Sequence, residues 1–97
     1  MKTLDEIKKI IDGHKDELIQ KYKVRKIGVF GSYARAEQGN GSDIDILVEF
    51  SSHVSLFDHG GLQYFMDKLL KSKTEVVDKE DLREEFKERI LTDVVYI

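Results

Sequence analysis

The chain has neither cysteine nor proline. Without cysteine there can be no disulfide framework and no thiolate metal site. A surplus of positive charge is also missing: 16 Lys and Arg stand against 19 Asp and Glu, for a formal net charge of −3. A protein that grips a nucleic-acid backbone by bulk electrostatics needs the opposite balance. A single bound nucleotide stays open, because a few local groups can neutralise its phosphates. No apolar run approaches the roughly 20 residues of a membrane span, and no amino-terminal stretch has the form of a signal peptide. The expectation is a cytoplasmic protein without membrane contact. The lack of proline beside plentiful Lys and Glu leans toward a heat-adapted source.

What is present fits one compact domain over residues 1–97, with 40% apolar and 36% charged residues and no repeat or linker. "TLDE" offers Thr3 as a helix cap with Glu6 as its capping-box partner, and Leu4, Ile7, Ile11, Leu18 and Tyr22 continue at helical spacing through a weak point at Gly13. "KIGVF", Lys26 to Phe30, reads as a strand ending at Gly31, and "SYARAEQ" suits a short helix from Ser32. Ile44 to Phe50 is the clearest strand. Leu56, Leu62, Phe65, Met66, Leu69 and Leu70 sit at helical offsets, with Gly60 and Gly61 as a point of kinking. Thr74 to Val77 reads as a third strand. Acidic residues from Glu80 lead a last helix whose later turns hold Lys87 and Arg89, with Leu82, Phe86 and Ile90 as its buried stripe. The order α-β-α-β-α-β-α predicts a small two-layer α/β sandwich with a three-stranded sheet.

The chemistry concentrates in "VFGSYARAEQGNGSDIDILVEF". Strand alternation puts Asp43 and Asp45 on one side and Ile44, Ile46 and Val48 on the other. Same-face neighbours lie about 6.6 Å apart, so two full charges there repel by about 2.5 kcal/mol at an effective dielectric near 20. A magnesium ion would turn that repulsion into coordination. A plainer reading makes Asp43 a turn cap and Asp45 a residue on a solvated edge. Upstream, Gly31 lets the backbone turn tightly and approach a ligand, and Ser32 presents its hydroxyl and neighbouring amides as a phosphate cradle. The same pair also serves as an ordinary turn and helix cap. Arg35 reaches either a phosphate or a surface acid. His14, His53 and His59 match no zinc spacing, and Tyr33 suits packing better than base stacking.

Taken in order, "GSYAR", six residues and "SDIDILV" resemble the signature of the nucleotidyltransferase superfamily that includes DNA polymerase beta. Through "SLFD" and "LREEFKERILTDVVYI", the chain is most similar to the minimal nucleotidyltransferases, MNT proteins encoded beside HEPN proteins. The resemblance implies transfer of AMP from ATP to a hydroxyl, with two Mg2+ ions on Asp43, Asp45 and a third carboxylate. It assigns Gly31, Ser32, Arg35 and Ser42 to the nucleotide. It also implies a HEPN RNase toxin as partner and one of its tyrosines as acceptor. A small hydroxylated molecule such as an aminoglycoside, or masking without catalysis, are the rival readings.

This sequence departs from the family pattern at two points. Ala36 follows Arg35 where the family usually has Gly, a change that suits a helix. Glu75 in "TEVV" takes the place of the usual third Asp, and its extra methylene moves a metal or base by about an ångström, a displacement that can cost roughly a hundredfold. Asp78 is the competing acid. It lies an odd number of residues from Glu75 and is read as a cap for the last helix. The terminal "VVYI" and the apolar face of that helix are candidates for a partner contact, for a homodimer, or for packing on the chain's own core.

Overall fold

The computed structural model of the chain describes residues 2–97. The capping box at Thr3 forms as read: Thr3 Oγ1 accepts from the Glu6 amide at 3.3 Å, and Glu6 Oε1 accepts from the Thr3 amide at 3.2 Å. The expected single first helix is two, α1 (Leu4–Asp12) and α2 (Lys15–Tyr22). Gly13 stops the first, and the His14 ring accepts no cap role at the second; its Nδ1 instead donates to the Ile10 carbonyl at 2.9 Å. Strand β1 (Val24–Phe30) follows, then β2 (Ile44–Phe50), α3 (Leu56–Leu70), β3 (Thr74–Asp78), a single 3-10 turn at Lys79–Asp81, α4 (Glu84–Asp93) and β4 (Val95–Tyr96).

The sheet has four strands rather than three, in the order β3-β2-β1-β4, with β2 and β3 parallel and the other pairs antiparallel. The extra strand is the apolar tail. Val95 and Tyr96 pair with Val29 and Gly28, and the Ile97 amide donates to the Ile27 carbonyl at 2.9 Å. The tail therefore packs on its own sheet. Gly28 makes this approach fit, since a Cβ there would stand 2.7 Å from Val94 Cγ2.

Ile7, Ile11, Leu18, Leu62, Met66 and Leu70 of α1, α2 and α3 bury themselves against Val24, Ile27, Val29, Ile44, Ile46, Val48 and Val76 of the sheet. Each such side chain contributes roughly 1.5–3 kcal/mol by leaving water. This is the two-layer body that the periodicities imply. α3 runs straight through Gly60 and Gly61, held at its start by a second capping box between Ser55 and Asp58.

α4 lies against the opposite sheet face, the one that carries Gly28, Phe30 and Asp45. It starts later than Glu80. Asp78 accepts from the Glu80 amide at 3.0 Å and caps only the 3-10 turn, after which Leu82 and Arg83 are extended. No residue of α4 is fully buried, and Phe86 of the expected core stripe is 49% exposed. Among the described residues no helix is long and apolar enough to cross a membrane.

The expected helix from Ser32 is a single turn. The Arg35 amide donates to the Gly31 carbonyl at 3.2 Å, then Ala36 to Tyr33 at 3.3 Å and Glu37 to Ser32 at 2.8 Å. The last two bonds form the closing pattern of a helix whose stop residue is left-handed, and Ala36 occupies that position with φ +58°. Alanine there does not continue a helix, contrary to the sequence reading. It bears about 1–2 kcal/mol of crowding between its Cβ and the backbone. Ala36→Gly is expected to stabilise the chain by about 0.5–1 kcal/mol once the unfolded-state entropy of glycine is set against the relief. A melting curve should show Tm higher by about 4 °C.

Candidate active site

The strand register brings the two halves of the motif together. Phe30 pairs with Asp45, so the Gly31–Ser32 turn leaves β1 directly beside the Asp45 side chain. The approach is tight enough that a Cβ on Gly31 would overlap Asp45 Oδ2, and Gly31 itself has φ +74°. Both facts demand glycine. On the other side of β2, the parallel register sets Glu75 opposite Asp45 and Asp78 opposite Val48. Val48 belongs to the core face, so Glu75 and not Asp78 shares the face of Asp45.

β3 is fixed in that register by three side chains of α3 that sequence reasoning missed. Asp67 Oδ1 accepts from the Thr74 amide at 2.8 Å and from its hydroxyl at 2.7 Å. Gln63 Oε1 accepts from the Val76 amide at 2.9 Å, and His59 Nε2 donates to the Val76 carbonyl at 2.8 Å. Burial alone would raise the Asp67 pKa, but the Thr74 and Gln63 donors outweigh it and hold the group below the usual carboxylate range. Glu75 thus sits between two clamped neighbours. The helical offset of His59, Gln63 and Asp67 was the only signal, and it is common on any polar helix face.

Asp45 shows the electrostatic result. Its pKa is pushed up from 3.8 to about 6, first by desolvation, then by the charges of Glu75 and Asp43, with Arg35 offsetting part of the rise. Among the described residues no trio of acids is drawn close enough to enclose an ion unaided. The donor chemistry still suits a hard divalent cation: Asp45 and Glu75 stand in register, the charges of Glu75 and Asp43 both bear on Asp45, and a cation would relieve that excess of negative charge.

The remaining candidates are placed as follows. Ser32 lines a cleft of about 360 Å3 together with Gly31, Arg35 and Asp45. Arg35 is paired with acids, its Nη1 donating to Asp93 Oδ2 at 2.6 Å and its Nε to Glu37 Oε1 at 3.1 Å. Ser42 closes the 39–42 turn, its hydroxyl accepting from the Gly39 amide at 2.9 Å. The opposite wall of the cleft is α4, through Phe86, Arg89, Ile90 and Asp93. Phe86 and Ile90 belong to the stripe that reads in the sequence as buried, and the structure turns both toward the cleft.

The nucleotidyltransferase domain model matches residues 11–97. The chain belongs to this family. The protein adenylyltransferase MntA of Thermococcus cleftensis is 41% identical to this nucleotidyltransferase over 97 residues, covering 100% of this chain and 98% of that one. A solved minimal nucleotidyltransferase superposes with a TM-score of 0.82 at 26% identity, over 97% of this chain and 95% of the other. The fold also matches a structure described as a tri-AMPylated Shewanella oneidensis HEPN toxin with its MNT antitoxin, at a TM-score of 0.66 and 20% identity, over 91% of this chain and 69% of that chain. The nucleotidyltransferase is thus an enzyme of the minimal, MntA-like branch.

A pH test of the acid cluster follows. The folded chain holds the Asp45 proton more tightly than the unfolded chain does. Its contribution to stability is complete below the ordinary value of 3.8 and is lost as pH rises through about 6. Added magnesium is therefore expected to raise Tm at neutral pH and to lose that effect below about pH 6, where protonation removes a donor. Thermal-shift titrations across this range check it. A magnesium effect indifferent to pH would remove Asp45 from the donor set.

Proposed function

We propose that the protein transfers AMP from ATP to a tyrosine hydroxyl of a HEPN-family toxin in a magnesium-dependent reaction, acting as its antitoxin. The observation that carries this reading is the Gly31 turn pressed on the Asp45 carboxylate, with Glu75 in register beside it. A turn without a side chain lets phosphates reach the acids, and a raised carboxylate pKa marks a place where positive charge is wanted. The names of the relatives supply the transferred group and the partner.

Asp43, Asp45 and Glu75 would hold magnesium, which supplies Lewis acidity toward the phosphates and the attacking hydroxyl. Ser32 and the amides after Gly31 hold the terminal phosphates. Arg35 can turn from Asp93 to a phosphate oxygen, exchanging one charge-assisted bond for another. The acceptor oxygen forms a bond to the α-phosphorus as the bond to pyrophosphate breaks in line, and its proton passes to the Glu75 carboxylate. Phe86 and Ile90 give the cleft an apolar wall suited to an aromatic acceptor.

The test is incubation of the chain with ATP, magnesium and the co-purified HEPN protein, followed by intact-mass and peptide analysis. Whole AMP increments on a partner tyrosine are expected. A tight complex without increments would replace transfer by masking, and label on a small hydroxylated molecule would replace the acceptor.

A further inference from the structure

The outward face of α3 serves neither the core nor the cleft. Phe57, Gly60, Gly61 and Tyr64 follow one another at i, i+3, i+4 and i+7, on the side of the helix away from buried Leu62, Met66 and Leu70. Phe57 is 90% exposed and Tyr64 64%, with Leu56 at 92% beside them. The stripe continues into Lys68, whose ammonium lies 5.4 Å from the Tyr64 ring centre. The solvent side of a helix is ordinarily charged and polar.

The two glycines have no reason within the chain. Both stand inside a helix that continues unbroken through them, where glycine is worse than alanine. Neither has the positive φ that calls for glycine, and a Cβ on either would meet nothing within 4 Å. At Gly28 and Gly31, by contrast, a Cβ would strike Val94 or Asp45. Whatever the bare backbone at 60 and 61 admits must come from outside. Flanked by two aromatic side chains, it forms a saddle, and the absence of side chains at such a contact lets two helix axes draw close.

We propose that this face pairs with itself in a second copy of the chain, the two α3 helices crossing antiparallel at Gly60 and Gly61. The order Phe57, Gly60, Gly61, Tyr64 is symmetric about the midpoint between the glycines, as a twofold contact requires. Glycine of one copy then meets glycine of the other, and Phe57 meets Tyr64. Aromatic pairs of this kind stabilise beyond the area they bury. A cavity of about 180 Å3 opens beside Phe57 and Gly61, against the end of α2. It receives the incoming tyrosine ring, and Lys21 and Lys23 on its wall suit the phenol oxygen.

At those exposures two copies of Phe57 and Tyr64 would bury roughly 450–750 Å2. Leu56 and the glycine backbone carry the contact toward the roughly 1,000 Å2 of a specific but reversible one. The sheet separates this face from the Asp45 cleft, which opens on the α4 side. A protein that brings a hydroxyl to the cleft approaches from that other side, and the paired chains leave both clefts open. The inference does not depend on the identity of the acceptor.

The experiment is analytical sedimentation of the full chain over a concentration series, in which wild type is expected to form a reversible dimer. Gly60→Gln/Gly61→Gln should dimerise about tenfold more weakly. Its Tm, measured dilute, should hold or rise, because glutamine is the better helix former and has room there. A need for these glycines within the single chain would lower Tm instead. The control Lys9→Gln/Glu88→Gln, exposed on α1 and α4, should stay within about twofold of wild type. The lack of cysteine allows a second measurement. Under an added disulfide-forming oxidant, Gly61→Cys should give a covalent dimer and Lys9→Cys should not. A wild type that stays monomeric, a dimer indifferent to the glutamines, equal weakening in the control, or linking at 9 as ready as at 61 would each overturn the proposal. So would a monomeric chain whose glutamine variant loses the co-purified HEPN protein, which assigns the face to that partner. Because association is read directly, a dimer that leaves HEPN tyrosines unmodified would cost the functional reading and keep this contact.

Discussion

Asp45→Asn is expected to lower AMP transfer by about a thousandfold or more, equivalent to about 4 kcal/mol of transition-state stabilisation, and to raise Tm at the same time. The two effects have one cause. The carboxylate is desolvated by its burial beside the Gly31 turn and crowded by Glu75 and Asp43, so the folded chain without metal is more stable without its charge. The amide keeps the shape, removes the repulsion and cannot serve as an anionic donor. Labelling with ATP gives the rate, and a melting curve at neutral pH gives the stability. Full turnover in the variant, or in Asp43→Asn/Asp45→Asn, would end the enzymatic account of these acids. A fall in Tm would show that Asp45 is held by compensating contacts, in place of being strained. Activity sites often trade stability for chemistry in this sense.

Gly31→Ala is the second large effect, and here rate and stability fall together. The new methyl would have to enter the space of Asp45 Oδ2, at a residue whose φ of +74° already disfavours any side chain. The conformational term and the overlap together cost roughly 2–3 kcal/mol, which in a domain of this size lowers Tm by roughly 10–20 °C. Relief of the overlap requires the turn to swing away from β2. That swing would open the proposed phosphate cradle by about an ångström, enough for a loss of roughly a hundredfold in transfer. Measuring transfer well below the lowered Tm separates the two losses. An alanine variant with wild-type rate there would show that the turn tolerates displacement and that its closeness to Asp45 is not what activity needs. Ala36→Gly gives the matching control five residues on, where the sign of the stability change is reversed.

The alternation of residue types along the chain carries much of this arrangement. Ile44, Ile46 and Val48 went to the core because a strand's period of two leaves no choice once one face is apolar, and Asp45 then had to face the other way. The family resemblance points to Glu75 and parity turns Asp78 to the other face of β3; the register of β3 sets Glu75 opposite Asp45 and Asp78 opposite Val48. What pattern could not supply was the direction of α4. Phe86 and Ile90 have the offsets of a buried stripe, and a periodicity states only that a face is apolar, never what it meets. The tail failed in a similar way. "VVYI" is too short to announce a strand, and only the bare backbone at Gly28 tells that something packs there. Ala36 misled because helix propensity favours alanine, while the hydrogen bonds around Ser32 and Tyr33 end the turn at that residue. Arg35 stayed undecided in the sequence, and its bond to Asp93 spans 58 positions, beyond the reach of any local rule.

The attachment of α3 to β3 also limits how anything else can join this protein. Thr74 and Val76 give their outward backbone groups to Asp67, Gln63 and His59, so this border of the sheet has few amides or carbonyls left to offer a foreign chain. The far border is β4, two residues long. Lateral zippering by main-chain pairing, the easiest route to recognition and also to aggregation for an open sheet, is thereby largely closed. Another protein would have to engage the domain through its side chains, where a change of a few residues can retune the choice of associate without disturbing the scaffold.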